Sequence, residues 1–205
     1  MNLYEEIQKI KQNSSAAVFK NYFPSDISWE QVLNFLYVNS SLIPKISSEE
    51  ARRRIDAKKN GTEIYGDIYM SPPLWIKSQT GKVWEQIPQF KDYLYKLNKD
   101  TQYKENSDYC TCHEHKFKDV SKCNSTWHLD GIIISLALRR ISEHRDLEDS
   151  VYLQTLGKSF WKIKGKEEID FVLEPGDIII VPNEVSHEVW GEGPRSGLLL
   201  AAHWK

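Results

Sequence analysis

The last third of the chain constrains the fold most. From Ile132 onward, short runs rich in Ile, Val, Leu and aromatic residues alternate with turn residues, and no helical periodicity intervenes. The runs are Ile132–Ile141, Val151–Leu156, Ser159–Ile163, Ile169–Leu173, Ile178–Val181, Glu188–Trp190 and Gly197–Trp204, with Gly157-Lys158 and Pro175-Gly176 between neighbours. A succession of about eight such strands predicts a mainly β domain, an antiparallel sandwich or barrel of jelly-roll type. Glu143 to Ser150 reads as a charged loop.

The N-terminal half carries a different pattern. Residues 1–26 are polar enough for one short helix. Ser28-Trp29-Glu30-Gln31 is a capping box, followed by Val32, Leu33 and Leu36 at helical spacing, which predicts a helix over 28–38. Ser47 to Lys59 predicts a second helix, whose Arg52, Arg53, Arg54, Lys58 and Lys59 read as a solvated face. Pro88, Phe90, Leu94 and Leu97 predict a third helix to about 98. Gly81-Lys82 lacks the flanking Gly and Ser/Thr of a phosphate loop. The expected organisation is a helical region over 1–120 that buttresses a β core over 121–205 in one integrated unit.

Composition excludes some functions. Net charge is −2, so no global field favours nucleic acid or a membrane surface. No apolar run approaches the roughly 20 residues of a membrane span. The first residues lack the basic and apolar regions of a signal peptide, which points to the cytoplasm and to reduced thiols. The Asn-x-Ser/Thr matches at Asn13, Asn39, Asn60 and Asn124 are then coincidental.

Two clusters carry metal-ligand chemistry. His128-Leu129-Asp130 offers an imidazole and a carboxylate two residues apart, which share one face if the segment is a strand. His187 would arrive from another strand, completing two imidazoles and one carboxylate, the donor set of a mononuclear non-haem Fe(II) centre with open positions. His144 and His203 have no evident partner and read as structural. Separately, Cys110, Cys112, His113, His115 and Cys123 crowd one short segment, enough for a structural zinc site, although the spacing matches no common zinc finger.

Gly176-x5-Pro182-x4-His187 resembles the second sequence motif of the cupin superfamily, and Gln154-x2-Gly157-x3-Trp161 resembles the strand pair that precedes it in cupins and JmjC-type hydroxylases. His-x-Asp at 128–130 shifts the resemblance towards the Fe(II)/2-oxoglutarate-dependent dioxygenases. His187-Glu188-Val189 followed by Arg195 is similar to the end of the prolyl-hydroxylase branch. The resemblance spans about residues 125–205. It implies a double-stranded β-helix holding Fe(II) through His128, Asp130 and His187. It also implies 2-oxoglutarate as co-substrate, its far carboxylate gripped by Arg195 or by Lys158 on an earlier strand. The substrate implied is a small molecule or a peptide or protein side chain. Two alternatives stand beside it: a cupin metalloenzyme that does not use 2-oxoglutarate, and a non-catalytic jelly-roll binding module.

Overall fold

The structure, a computed structural model, describes residues 3–38, 87–101, 127–135, 139–146, 149–183 and 185–202; for 127–135, 139 and 201–202, and for Leu36, Leu94, Asn98 and Ser142, it describes the backbone alone. The expected helix over 47–59 and the cysteine–histidine cluster at Cys110, Cys112, His113, His115 and Cys123 lie outside the described residues.

Nine strands form two antiparallel sheets among the described residues. They are β1 (Ala17–Phe19), β2 (Trp127–Ser135), β3 (Arg139–His144), β4 (Asp149–Leu156), β5 (Ser159–Lys164), β6 (Glu168–Leu173), β7 (Ile178–Val181), β8 (Ser186–Gly191) and β9 (Arg195–Ala202). The five-stranded sheet runs β1-β7-β4-β9-β2 and the four-stranded sheet β3-β8-β5-β6. Strands β2 to β5 alternate one by one between the two sheets, as do β6 to β9, the winding of a jelly roll or double-stranded β-helix. The fold is mainly β, as the strand pattern predicts. The expected single strand over 132–141 is instead two, β2 and β3, which belong to opposite sheets. The expected loop at 143–150 is strand at both ends, since β3 continues to His144 and β4 begins at Asp149.

Three helices are described, α1 (Leu3–Gln12), α2 (Trp29–Val38) and α3 (Gln89–Asp100). The capping box at the start of α2 is formed: the Gln31 N–H donates to Ser28 Oγ at 3.2 Å, and the Ser28 N–H donates to Gln31 Oε1 at 2.9 Å. Leu3, Ile7 and Ile10 of α1, Val32 and Phe35 of α2, and Phe90, Tyr93 and Leu97 of α3 pack with Val151, Leu153, Ile178, Ile180, Leu198 and Leu200 of the five-stranded sheet. Burial of that apolar surface drives the helices onto the sheet. The other face of the same sheet contributes Tyr152, Ile179, Val181 and Leu199 to the barrel interior, where they meet Trp161, Ile163, Leu173 and Val189 of the four-stranded sheet. β1 extends the sheet from the N-terminal region, pairing Val18 with Ile179. Among the described residues no helix is long and apolar enough to cross a membrane.

The Pro175-Gly176-Asp177 turn ties these layers together. Gly176 has φ of +94°, and a Cβ there would overlap the Phe23 carbonyl, so the position requires glycine. The Gly176 N–H donates to the Gln154 carbonyl at 2.8 Å and its own carbonyl accepts from the Phe23 N–H at 3.0 Å. Asp177 accepts from the Asn21 N–H, the Glu174 N–H and Lys20 Nζ at 2.7–2.8 Å.

Candidate metal centre

His187 lies on β8 with its side chain inside the barrel, and its residue is 2% exposed. Its Nδ1–H donates to the Val185 carbonyl at 3.0 Å, which sets the tautomer and leaves Nε2 as the free lone pair. Opposite it in the β3–β8 register stands His144, the last residue of β3, and a register shift between Ile141 and His144 marks a bulge just before it. The two rings lie 4.2 Å apart between centroids. Asp146 follows beyond the strand end, with its carboxylate 3.7 Å from His187 Nε2 and 3.7 Å from His144 Nε2.

One ligand atom from each of His144, Asp146 and His187 therefore lies within 4.8 Å of the other two. The 3.7 Å separations exceed hydrogen-bond length and leave the three facing a common point. Burial pushes His187 below the ordinary histidine value. The Val185 carbonyl and the Asp146 charge oppose that shift, and His144 adds to it. A neutral imidazole is the form that ligates a metal. Two imidazoles and one carboxylate are a donor set that fits a divalent first-row metal.

Of the residues expected to share that role, His187 has a described side chain, whereas His128 and Asp130 are described by their backbone alone. His128 and Asp130 are on β2, in the five-stranded sheet, while His144 and His187 are on adjacent strands of the four-stranded sheet. The register of β2 against β9 shifts between Leu129 and Gly131, at Asp130. His144, read from sequence as structural, is beside His187. The signal that finds it was available: His144-Arg145-Asp146 is a second His-x-Asp, set inside what reads as a charged loop.

Of the two expected anion anchors, Lys158 is on the surface. Its side chain is 59% exposed and its ammonium pairs with Glu174 at 2.5 Å. Arg195 is inside the barrel at 3% exposure. It shares strand parity with Gly197 and Leu199, and its guanidinium lies over the Cα of Gly191, where a Cβ would overlap it. Gly191 is four residues past His187 on β8, about 13 Å along the strand. The ligand cluster and the guanidinium thus belong to one interior, which Tyr152, Trp161, Val189 and Leu199 also line. Burial pushes the Tyr152 phenol up, and the Arg195 charge opposes it.

The strand order and this interior cluster define a jelly roll with a candidate His–Asp–His metal centre. No family model matches the chain. Over 70 residues, 33% of this chain, it is 37% identical to the acireductone dioxygenase of Bacillus mycoides strain KBAB4, and the match spans 39% of that protein's length. Among solved structures it is similar to a cupin superfamily protein from Desulfitobacterium hafniense DCB-2, with 22% identity, 38% of this chain, 68% of that one and a TM-score of 0.33. It is also similar to the ribosomal oxygenase YcfD from Escherichia coli, with 25% identity, 38% of this chain, 24% of that one and a TM-score of 0.33.

Proposed function

We propose that this chain is an Fe(II)- and 2-oxoglutarate-dependent dioxygenase, with His144, Asp146 and His187 as the metal-holding residues. The observation that carries the reading is the convergence of those three donors within 4.8 Å of one another around the buried His187. Such a centre would supply dioxygen activation, one oxygen atom being taken up as 2-oxoglutarate becomes succinate and carbon dioxide and the other entering a C–H bond of the substrate as a hydroxyl.

The chain's own residues account for the rest. Val185 orients His187, and the enclosing apolar layer keeps that imidazole neutral. Arg195 is a buried cation of this interior, and its guanidinium is the group we assign to the far carboxylate of the co-substrate. Lys158, paired on the surface with Glu174, has no part in this. Sequence similarity to an acireductone dioxygenase supports a second reading, a cupin dioxygenase that consumes oxygen without 2-oxoglutarate.

Anaerobic loading with Fe(II), then admission of oxygen with and without 2-oxoglutarate, separates the two. Succinate should form in the wild type and be lost in His144→Ala and Asp146→Ala, whereas His128→Ala should retain metal binding. In Arg195→Ala, 2-oxoglutarate affinity should fall by about 1.5–3 kcal/mol, one to two powers of ten, with metal affinity unchanged. Metal-loaded protein that neither binds 2-oxoglutarate at millimolar concentration nor forms succinate would remove the first reading in favour of the second.

A further inference from the structure

The motif Gln154-x2-Gly157-x3-Trp161 has a physical role that the ligand set leaves open. On the inner face of the four-stranded sheet, Ile163 of β5 stands directly opposite His187 of β8, and Trp161 is opposite Val189. Trp161 is thus the diagonal neighbour of His187, within reach of a large side chain. Its ring lies 5.6 Å from the His187 imidazole, at 21° to it, in a stacked arrangement. The indole is 4% exposed and also contacts Tyr152, 5.2 Å away between centroids.

The indole is held by a chain of buried hydrogen bonds. Trp161 Nε1–H donates to Ser159 Oγ at 2.9 Å, and the Ser159 hydroxyl donates to Gln154 Oε1 at 2.6 Å. Gln154 Nε2 donates to the carbonyls of Leu156 at 2.6 Å and Ser196 at 3.2 Å. Gln154 and Ser159 are both fully buried. Each donor has one acceptor direction available: turning the Gln154 amide over would set its oxygen against two carbonyls, and turning the hydroxyl would leave Oε1 unpaired. A fully satisfied buried network of this kind holds one geometry and is costly to loosen. The main chain of Gln154 is pinned in turn, its N–H donating to the Asp177 carbonyl and its carbonyl accepting from Gly176.

His187 needs such support. Its hydrogen bond to Val185 fixes one edge of the ring and leaves tilt about that bond open. The flat indole beside it closes that freedom.

We infer that Gln154, Ser159 and Trp161 form a positioning relay that sets the plane of the metal-ligating His187 imidazole. The inference rests on the metal-centre reading above, with Ser159 and Gln154 acting only through the indole. Partners one step removed from a ligand typically change metal affinity by about 10–100-fold when lost.

The test is Co(II) binding to the full chain, read as dissociation constant and visible ligand-field spectrum, for wild type, Trp161→Phe, Ser159→Ala and the double variant. Trp161→Phe keeps a ring but removes the N–H that the relay holds. Each single variant should weaken Co(II) roughly tenfold and shift the ligand-field band, and the double should be no weaker than Trp161→Phe alone, because Ser159 works through that indole. Should Ser159→Ala fail to fold, Trp161→Phe decides alone. Affinity within twofold of wild type in Trp161→Phe, with an unchanged spectrum, would overturn the relay while leaving the metal centre standing. Fully additive losses in the double variant would also overturn it. A wild type that binds no Co(II) would overturn the relay and the metal centre together.

Discussion

Two glycines facing the barrel interior show how single atoms divide stability from function. A Cβ on Gly197 would overlap the ring end of Tyr152, which is packed against Trp161 with no direction in which to yield. Gly197→Ala should therefore cost about 1–3 kcal/mol of stability, as overpacking does. A Cβ on Gly191 would overlap the guanidinium of Arg195, the mobile end of a long side chain. Gly191→Ala should cost less stability than Gly197→Ala, yet displace the guanidinium and raise the 2-oxoglutarate concentration needed for turnover. Denaturant unfolding alongside co-substrate titration checks both; the opposite ranking would mean that Arg195 is not the anchor. Sequence parity along Arg195-Ser196-Gly197-Leu198-Leu199 is enough to place Arg195 on the interior face. The depth of Lys158 was not legible, because a residue in a tight turn has no parity to read.

At the scale of elements, the attachment of α1 bears on the centre. Lys11 at its end pairs with Asp149 at 2.7 Å, and Asp149 also accepts from the Asn183 N–H at 2.7 Å, which holds the loop carrying Val185 towards His187. Asp149 is 2% exposed, and burial pushes its carboxyl up despite the pull of Lys11 and Asn183. A carboxyl raised in the folded state binds more protons folded than unfolded, so its contribution worsens as pH rises through the window above its unfolded value of about 3.9. Lys11→Met should widen that window and cost about 1–3 kcal/mol at neutral pH, with the deficit closing as pH falls towards 4. Asp149→Asn keeps the acceptor for Asn183 and buries no unpaired carboxylate, so it should cost less. Urea midpoints from pH 4 to 8 read both variants, and a deficit for Lys11→Met that is flat with pH would contradict this account. Of these elements, α2 was legible from its capping box and α3 from Pro88 and its apolar stripe. The three-residue β1 was not, since so short a strand exists only by pairing with β7.

For the whole molecule, a metal bound only by the folded state stabilises it. Co(II) at about a hundredfold excess over its dissociation constant contributes about 2.7 kcal/mol, a rise of about 5–10 °C in the unfolding midpoint for a chain of this size. Asp146→Asn should abolish that rise; an equal rise in the variant would place the metal elsewhere. The layering itself is written in the strands. Ile178-Ile179-Ile180-Val181 and Leu198-Leu199-Leu200 are unbroken apolar runs, because the five-stranded sheet is covered by helices on one face and by the barrel interior on the other. Ser159-Phe160-Trp161-Lys162-Ile163-Lys164 alternates buried and more exposed positions, inner face against outer. Sequence alone determined the jelly roll, the Pro-Gly-Asp turn, and His187 as a ligand candidate, because each depends on local periodicity or on spacing within one segment. Only the tertiary structure decided which histidine and which aspartate stand beside His187. The chain holds two His-x-Asp pairs of identical spacing, at 128–130 and 144–146, and no local rule ranks them. The choice depends on sheet membership: β3 lies next to β8, whereas β2 ends the opposite sheet.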